Sequence, residues 1–357
     1  MSVTKDGNTG RWMSQIRVTD WTGNVIHKKK RGFATRREAL EWEHEFIMQA
    51  SGSIGMTFAD FIKLYFEDME KRLKPSTVEN KKWIVGLKIT TFFEKKALNE
   101  IKPTDVRKWQ NNLKSHRDEK GVPYSETYLR TINNQLTAIF NYAIKYYGLR
   151  ENPCHKAGSM GKKNADEMQF WTKDEFDLLI GSKYFEDKLV SRTIFMTLYY
   201  TGMREGELLA LTPADIDLEK KEIRITKSYQ RLNKKDVITP PKTPKSNRTI
   251  TIPDKLCACL SEYIDGCYEL KPDDRMFPYT KSFLYKEMGN ACKASGVKKI
   301  RVHDIRHSHA SLLIEMGFSP LLIAERLGHE KVQTTLDTYS HLYPNKQIEV
   351  ANKLDEI

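Results

Sequence analysis

Four residues of the C-terminal part carry groups able to act together on a bound anion: His303, Arg306, His329 and Tyr339, all inside the run from Arg301 to Tyr343. His303 and Arg306 stand three apart, so on a helix an imidazole and a guanidinium share one face and can be aimed at one ligand. Between and after them Ala310, Leu312, Leu313, Leu321, Ile323, Ala324 and Leu327 recur at helical spacing. Ser319-Pro320 suits the N-cap and first position of a second helix, and Leu327-Gly328 suits its end. His329 therefore stands at a helix terminus with its ring free to face a cleft. Tyr339 follows in the threonine-rich segment T-T-L-D-T-Y-S-H. A phenol titrates near pH 10, so at neutral pH it becomes a nucleophile only where neighbouring cations favour the phenolate.

The order H-D-I-R-H-S, then L-G-H, then a tyrosine resembles the C-terminal signature of the tyrosine recombinases, the family of phage and conjugative-element integrases. The upstream half of that signature, an arginine in T-G-x-R-x-x-E, is matched by Thr201 to Glu207 and supplies Arg204. Between the two halves the family carries a lysine on a β-hairpin. Here P-P-K-T-P-K offers Lys242, with Lys245 as the alternative. Each piece alone is short; the ordered set from Thr201 to Tyr339 is specific.

The resemblance implies a division of labour at a scissile phosphodiester. Attack on phosphorus loads negative charge on the non-bridging oxygens, and two arginines, Arg204 and Arg306, bind such a pair bidentately. Glu207 orients Arg204. Lys242 protonates the departing 5′ oxygen, a task for a flexible ammonium. His303 accepts the tyrosine proton and returns it in the reverse step, and His329 donates a hydrogen bond to the phosphate. His307 and His309 read as structural histidines, with His307 tied into the local network. Tyr339 attacks and becomes a 3′-phosphotyrosine that stores the energy of the broken bond, so neither ATP nor any other cofactor is implied, and no metal. Tyr343, beside Pro344, is the rival nucleophile by residue type.

These side chains need a frame, and the chain offers one in three parts, a multidomain α+β arrangement. Residues 1–52 read as a small β-sheet crossed by one helix: Trp12, Ile16 and Val18 alternate with polar residues, Asp20 to Asn24 is a turn, and a second strand starts at Val25. Thr35 and Glu38 form a capping box for a helix with Ala39, Trp42, Phe46 and Ile47 on one side. Such a unit resembles an arm-type DNA-binding domain, with Arg11, Arg17, Lys28, Lys29, Lys30 and Arg31 as its DNA contacts. After a short linker, Ser51 to Gly55, residues 56–155 read as an all-α four-helix bundle with starts at Thr57, Ser76 and Thr104 and a last helix stopping near Gly148. In the family the equivalent module grips the core recombination site. Asn152 to Lys163 reads as a basic connector. Residues 168–357 form the catalytic domain, mixed but mainly α, with strands at Ile216–Leu218, Glu222–Ile225 and Thr249–Ile252 making a small antiparallel sheet. Beyond Pro344, Ile348, Ala351 and Leu354 recur at helical spacing, so a short tail helix docks either on its own domain or, as the resemblance implies, on a neighbouring protomer in a tetramer on DNA.

Composition agrees with this frame and excludes other classes. A net charge of +12 and a pI near 9.2 point to a polyanion, here double-stranded DNA at core and arm-type sites. Accessory DNA-bending or directionality proteins are further expected partners. No apolar run approaches the ~20 residues that span a bilayer, and the first residues lack a signal-peptide core, which places the chain in the cytoplasm at the nucleoid. Five cysteines without paired C-x-x-C spacing read as free thiols. No glycine-rich nucleotide motif is present, and Asp215 with Asp217 is a thin basis for a metal nuclease. A type IB topoisomerase shares the tyrosine chemistry and is the alternative, beside a non-catalytic DNA-binding protein.

Overall fold

Residues 2–7, 9–19, 25–50, 55–162, 168–241 and 243–343 are described by a computed structural model of the chain. The turn at Asp20–Asn24, most of the linker, Lys242 and the tail with Ile348, Ala351 and Leu354 lie outside the described residues. The chain divides into two compact units, Met1–Asp166 and Glu167–Ile357.

In the first unit, strands β1 (Val3–Lys5), β2 (Trp12–Thr19) and β3 (Val25–Phe33) form an antiparallel sheet in that order. Helix α1 (Arg36–Ala50) covers one face: Val3, Phe33 and Ala39 are buried with Trp12 and Trp42 against them. The helix start differs slightly from the expected box. Thr35 Oγ1 accepts from the Glu38 amide, but the Glu38 carboxylate takes the amide of Ala34 rather than of Thr35. β1 was not foreseen, because a three-residue strand shows too little alternation to be read.

The remainder of this unit is helical: α2 (Phe58–Arg72), α3 (Pro75–Val85), α4 (Thr91–Phe93), α5 (Pro103–Ser115), α6 (Glu126–Tyr147) and α7 (Pro153–Ala157). A π-helical turn, Gly86–Thr90, joins α3 to α4, so the two make one bent rod and four long helices result. Two starts shift from the expected positions: α3 begins at Pro75 and α5 at Pro103, each with proline in the first turn, where its missing N–H costs nothing. Phe58, Phe61, Val106, Trp109, Ile132, Leu136 and Phe140 fill the core. The expected connector is in part structural, since Cys154, Ala157 and Met160 enter the same core. Asn152 fixes the turn into it, its amide donating to the Thr137 carbonyl and Asn141. The bundle's core therefore runs past residue 155.

The second unit has α8 (Lys173–Ile180), α9 (Leu189–Thr201), α10 (Glu205–Leu208), α11 (Asp254–Asp265), α12 (Lys281–Ser295), α13 (Asp304–Glu315), α14 (Pro320–Leu327) and α15 (Val332–Tyr339). Strands β4 (Ile216–Asp217), β5 (Glu222–Ile225) and β8 (Arg248–Thr251) pair antiparallel in the order β4-β5-β8. A separate hairpin, β6 (Ser228–Leu232) with β7 (Lys235–Thr239), was not expected. Its turn, Asn233-Lys234, has positive φ at both residues, 48° and 64°, which is a type I′ turn made without the glycine that usually signals one. Helix α9 is buried almost all round and lies at the centre of the core, with Ile194, Phe195, Leu198 and Tyr199 buried beside Ser191, Thr193 and Thr197. Among the described residues no helix is long and apolar enough to cross a membrane, and all five cysteines are free thiols.

Candidate active site

The site forms where α9, α13, α14 and α15 end or begin close together. Helix α9 stops at Gly202, whose φ is +62°. A Cβ there would lie 2.6 Å from the His309 ring and 2.8 Å from Leu327, so glycine is required by space as well as by conformation. The carbonyl this turn exposes accepts from Arg306 Nη1 at 2.8 Å, and Arg306 Nη2 donates to the Leu327 carbonyl at 2.7 Å. Arg306 is thus held by main-chain oxygens of two helix ends. Among the described residues it has no carboxylate partner, and Asp304 is taken by Arg301.

Arg204 follows Gly202 and caps α10. Glu207, 3 % exposed, accepts the Arg204 amide at 2.9 Å and its Nη1 at 2.7 Å, so the carboxylate holds this guanidinium by backbone and side chain together. The expected orienting role of Glu207 has this geometry behind it. Sequence reading missed the third member: Arg248, the first residue of β8, also donates to Glu207, at 2.9 Å. The Arg248 side chain is only 6 % exposed, and it spends its other nitrogens on the carbonyls of Arg326 (2.8 Å) and Ser246 (3.0 Å). One signal could have found it. A lone arginine opening the apolar strand R-T-I-T-I needs a buried partner, and Glu207 is the buried carboxylate available. Burial would raise Glu207, but Arg248 and Arg204 outweigh it and hold the carboxyl below the usual range.

The α14 end supplies His329 as expected. Gly328, at φ +70°, ends the helix, and a side chain there would press on Arg248 and the Lys245 carbonyl at 3.1 Å. His329 Nδ1 lies 2.8 Å from the buried Thr335 hydroxyl, which leaves Nε2 for a ligand. Burial, then Arg306, Arg204 and Arg248, push His329 down to about 4, so it is neutral at physiological pH. A cavity of about 740 Å³ beside it is lined by Lys245, Arg248, Arg326 and His329 among others. Lys245 is exposed there; Lys242 is outside the described residues.

Tyr339 ends α15 and is 1 % exposed, packed with Ala310, Leu313, Ile314, Ile323 and Leu327. Its hydroxyl is 2.7 Å from Nδ1 of His307, the histidine that sequence reading had assigned to the local network. His303 is exposed on the same face, edge-on to His307 with ring centroids 5.5 Å apart. Burial pushes the Tyr339 phenol up to about 12; Arg306 pulls it down but does not win, and Asp304 opposes it. His309 is structural, as expected: it is buried and accepts from Arg326 Nε at 3.0 Å. Tyr343 packs at the edge of the Tyr339 cluster, and its buried hydroxyl has no hydrogen-bond partner among the described residues.

The arrangement gathers Arg204, Arg306 and His329 with a second guanidinium layer, Arg248, behind them. Burial and the charges of Arg204 and Arg248 depress Arg306 below an ordinary guanidinium. Since arginine does not deprotonate in proteins, this marks a site short of negative charge, ready for an anion. Among the described residues no three His, Cys, Asp or Glu side chains come together as a metal ligand set. Asp215 caps Thr212 and pairs with Lys227, while Asp217 pairs with Lys220, so the two carboxylates do not converge.

Of the six expected DNA contacts in the N-terminal unit, all are exposed. The pairing Arg17↔His27, Gln15↔Lys29 and Met13↔Arg31 puts Arg17, Lys29 and Arg31 on one face of the sheet. The opposite face carries buried Ser14 and Ile16 toward α1. Lys28 and Lys30 belong to that side, and the Lys30 ammonium rests on the Phe33 and Trp42 rings.

Comparison with known proteins bears on the whole chain. Residues 169–346 match the family described as phage integrase, residues 2–50 an arm DNA-binding domain, and residues 57–114 the phage integrase N-terminal SAM-like domain. The ICEBs1 integrase of Bacillus subtilis (strain 168) is 34% identical over 342 residues, covering 91% of each chain. In fold the chain resembles the Tn1549 transposon integrase in complex with a circular intermediate DNA, with a TM-score of 0.65 at 20% identity over 84% of this chain and 99% of that one. It also resembles a lambda integrase tetramer bound to a Holliday junction, with a TM-score of 0.60 at 16% identity over 97% of this chain and 95% of that one.

Proposed function

The chain belongs to the phage integrase family of tyrosine recombinases, enzymes of site-specific DNA recombination in mobile elements, and we propose that it works through a covalent 3′-phosphotyrosine on Tyr339. The observation that carries the reading is the anion-starved cleft in which Arg306, locked by two carbonyls, stands with Arg204 and neutral His329 near a buried tyrosine.

A scissile phosphate docks between the Arg204 and Arg306 guanidiniums, and His329 donates Nε2–H to a non-bridging oxygen. The Tyr339 oxygen bonds to phosphorus as the bond to the 5′ oxygen breaks, and Lys242, with Lys245 as the alternative, gives that oxygen its proton. His303 serves the proton transfers on the tyrosine side. One phosphoester replaces another, so rejoining is the reverse step and uses the stored bond. Guanidiniums already set in place supply the charge stabilisation that a metal ion supplies in other phosphoryl-transfer sites. Incubating the protein with DNA that flanks its own gene should give a protein-linked strand, undiminished in excess EDTA. Loss of linkage in chelator with recovery on Mg²⁺ would contradict this.

Three domains share the DNA. Residues 1–52 hold arm-type sites through the face of Arg17, Lys29 and Arg31, while Arg11 and, from the opposite side of the sheet, Lys28 and Lys30 add positive charge. The bundle and the catalytic domain hold the core site. Arm binding should weaken steeply with salt, because phosphate contacts release counterions. A chain starting at Thr57 is expected to keep the core footprint and lose a second one; identical footprints from both chains would contradict the assignment. The catalytic units assemble as a tetramer on DNA, each tail docking on a neighbour. Exposed Leu321 and Leu322, together with the open edge of β8, offer the receiving groove.

A further inference from the structure

We infer that His307 is a catalytic residue of strand cleavage: its Nδ1 receives the Tyr339 hydroxyl in the resting protein and takes that proton as the phenolic oxygen attacks. The inference deepens the reading above by moving the first proton acceptor on the tyrosine side from His303 to His307, and it rests on Tyr339 being the nucleophile.

The 2.7 Å contact is the hydrogen bond the described residues give to the Tyr339 hydroxyl. It is set by packing rather than by a mobile surface chain. His303, Arg306 and His307 stand at i, i+3 and i+4 along the start of α13, so they share one face. One turn further on, Ala310, Leu313 and Ile314 of the same helix bury the Tyr339 ring. The helix that presents the imidazole is thus the helix that fixes the phenol. His303 has no hydrogen bond to Tyr339; it meets His307 edge-on, as the next imidazole outward.

The electrostatics fit an acceptor. His307 faces His303, Asp304, Arg306 and Arg301 from α13 and the turn before it, and Tyr339 from α15; His329, beyond α14, is within range of its charge. Burial first, then His303, Arg306 and Arg301 against Asp304, push it down to about 4, so the resting ring is neutral and Nδ1 is free to accept. Tyr339, pushed up to about 12, does not ionise unaided at neutral pH. A docked phosphate anion opposes the arginine charges and raises the proton affinity of His307 when it is needed. In the step, the Oη–H bond breaks with its proton passing to Nδ1, the Oη–phosphorus bond forms, and the bond from phosphorus to the 5′ oxygen breaks. That oxygen is protonated by the lysine of the reading above. Rejoining returns the proton from His307 to Tyr339.

The test is single-turnover cleavage by the full chain on a nicked duplex carrying the junction sequence that flanks its gene, from acid to alkaline pH. His307→Asn keeps a hydrogen-bonding atom near the place of Nδ1 but takes no proton; His307→Ala keeps neither. Both should bind the duplex normally and cleave at least ~10²-fold more slowly at neutral pH. The deficit should shrink as pH rises toward the phenol's own range, and added imidazole should partly restore the alanine variant. Cleavage by His307→Asn within about threefold of the parent would leave His307 only an aiming role and overturn the inference. A deficit equal at every pH and untouched by imidazole would overturn it as well. Failure of the nucleophile reading is separate: it appears as covalent complex formed by Tyr339→Phe.

Discussion

Tyr339→Phe is expected to abolish the protein-linked strand while core-site binding stays within about twofold of the parent, a difference below about 0.5 kcal/mol. The substitution removes one oxygen from a side chain that is 1 % exposed and packed among aliphatic residues, so the ring keeps its place. What the fold loses is the hydrogen bond to His307, which leaves the histidine with an unpaired nitrogen at a cost of about 1–3 kcal/mol. Chemistry has no such reserve, because no other oxygen replaces the attacking atom. Tyr343→Phe is the control. Its hydroxyl has no hydrogen-bond partner among the described residues, so removal should change neither stability nor linkage appreciably. Denaturing gels of labelled DNA read both variants. A covalent complex from Tyr339→Phe together with none from Tyr343→Phe would reverse the assignment.

The largest stability effect is expected at Glu207. Its carboxylate, 3 % exposed, compensates two guanidiniums, and the Arg248 side chain is almost as buried as Glu207 itself. Glu207→Ala leaves Arg248 as an uncompensated interior charge, a change worth about 3–5 kcal/mol of unfolding free energy. The more exposed Arg204 carries less of that energy, but it loses the group that aims it. Cleavage should therefore fall in Glu207→Gln too, where the shape survives and the charge is gone. Urea midpoints of the two variants against the parent measure the first effect, and single-turnover rates the second. A Glu207→Ala midpoint within about 0.5 kcal/mol of the parent would mean that solvent or a relaxed Arg248 takes over the charge.

Much of this was legible before any fold was known, for stateable reasons. Gly202, Gly328, Ser319 and Pro320 punctuate helices by backbone rules that need no tertiary context, so the helix ends presenting Arg204 and His329 could be placed from the chain alone. Of the bundle's long helices, α2, α5 and α6 carry strong periodic faces, whereas α3 was legible chiefly from its start signal, Ser76 with Glu79. What escaped depends on partners distant in sequence. Arg248 becomes part of the site only because β8 returns beside α10, a proximity that no local pattern encodes. His307 and His303 are both on one helical face, and spacing does not say which of them the tyrosine hydroxyl meets; the packing of α15 on α13 decides it. The β6–β7 hairpin was missed because Asn-Lys makes its turn without glycine. Helix α7 lies in a segment read as a basic connector because Lys156, Lys162, Lys163 and two glycines mask its three core residues, Cys154, Ala157 and Met160.

The site where DNA becomes attached to the protein decides between Tyr339 and every other nucleophile. Covalent complex trapped on a nicked core-site duplex, digested with protease and nuclease and read by mass spectrometry, should yield a nucleotide joined through its 3′ phosphate to the peptide containing Tyr339, with a free 5′ hydroxyl on the released strand. Attachment to any other residue, or a 5′ phosphate linkage at the same tyrosine, would contradict it.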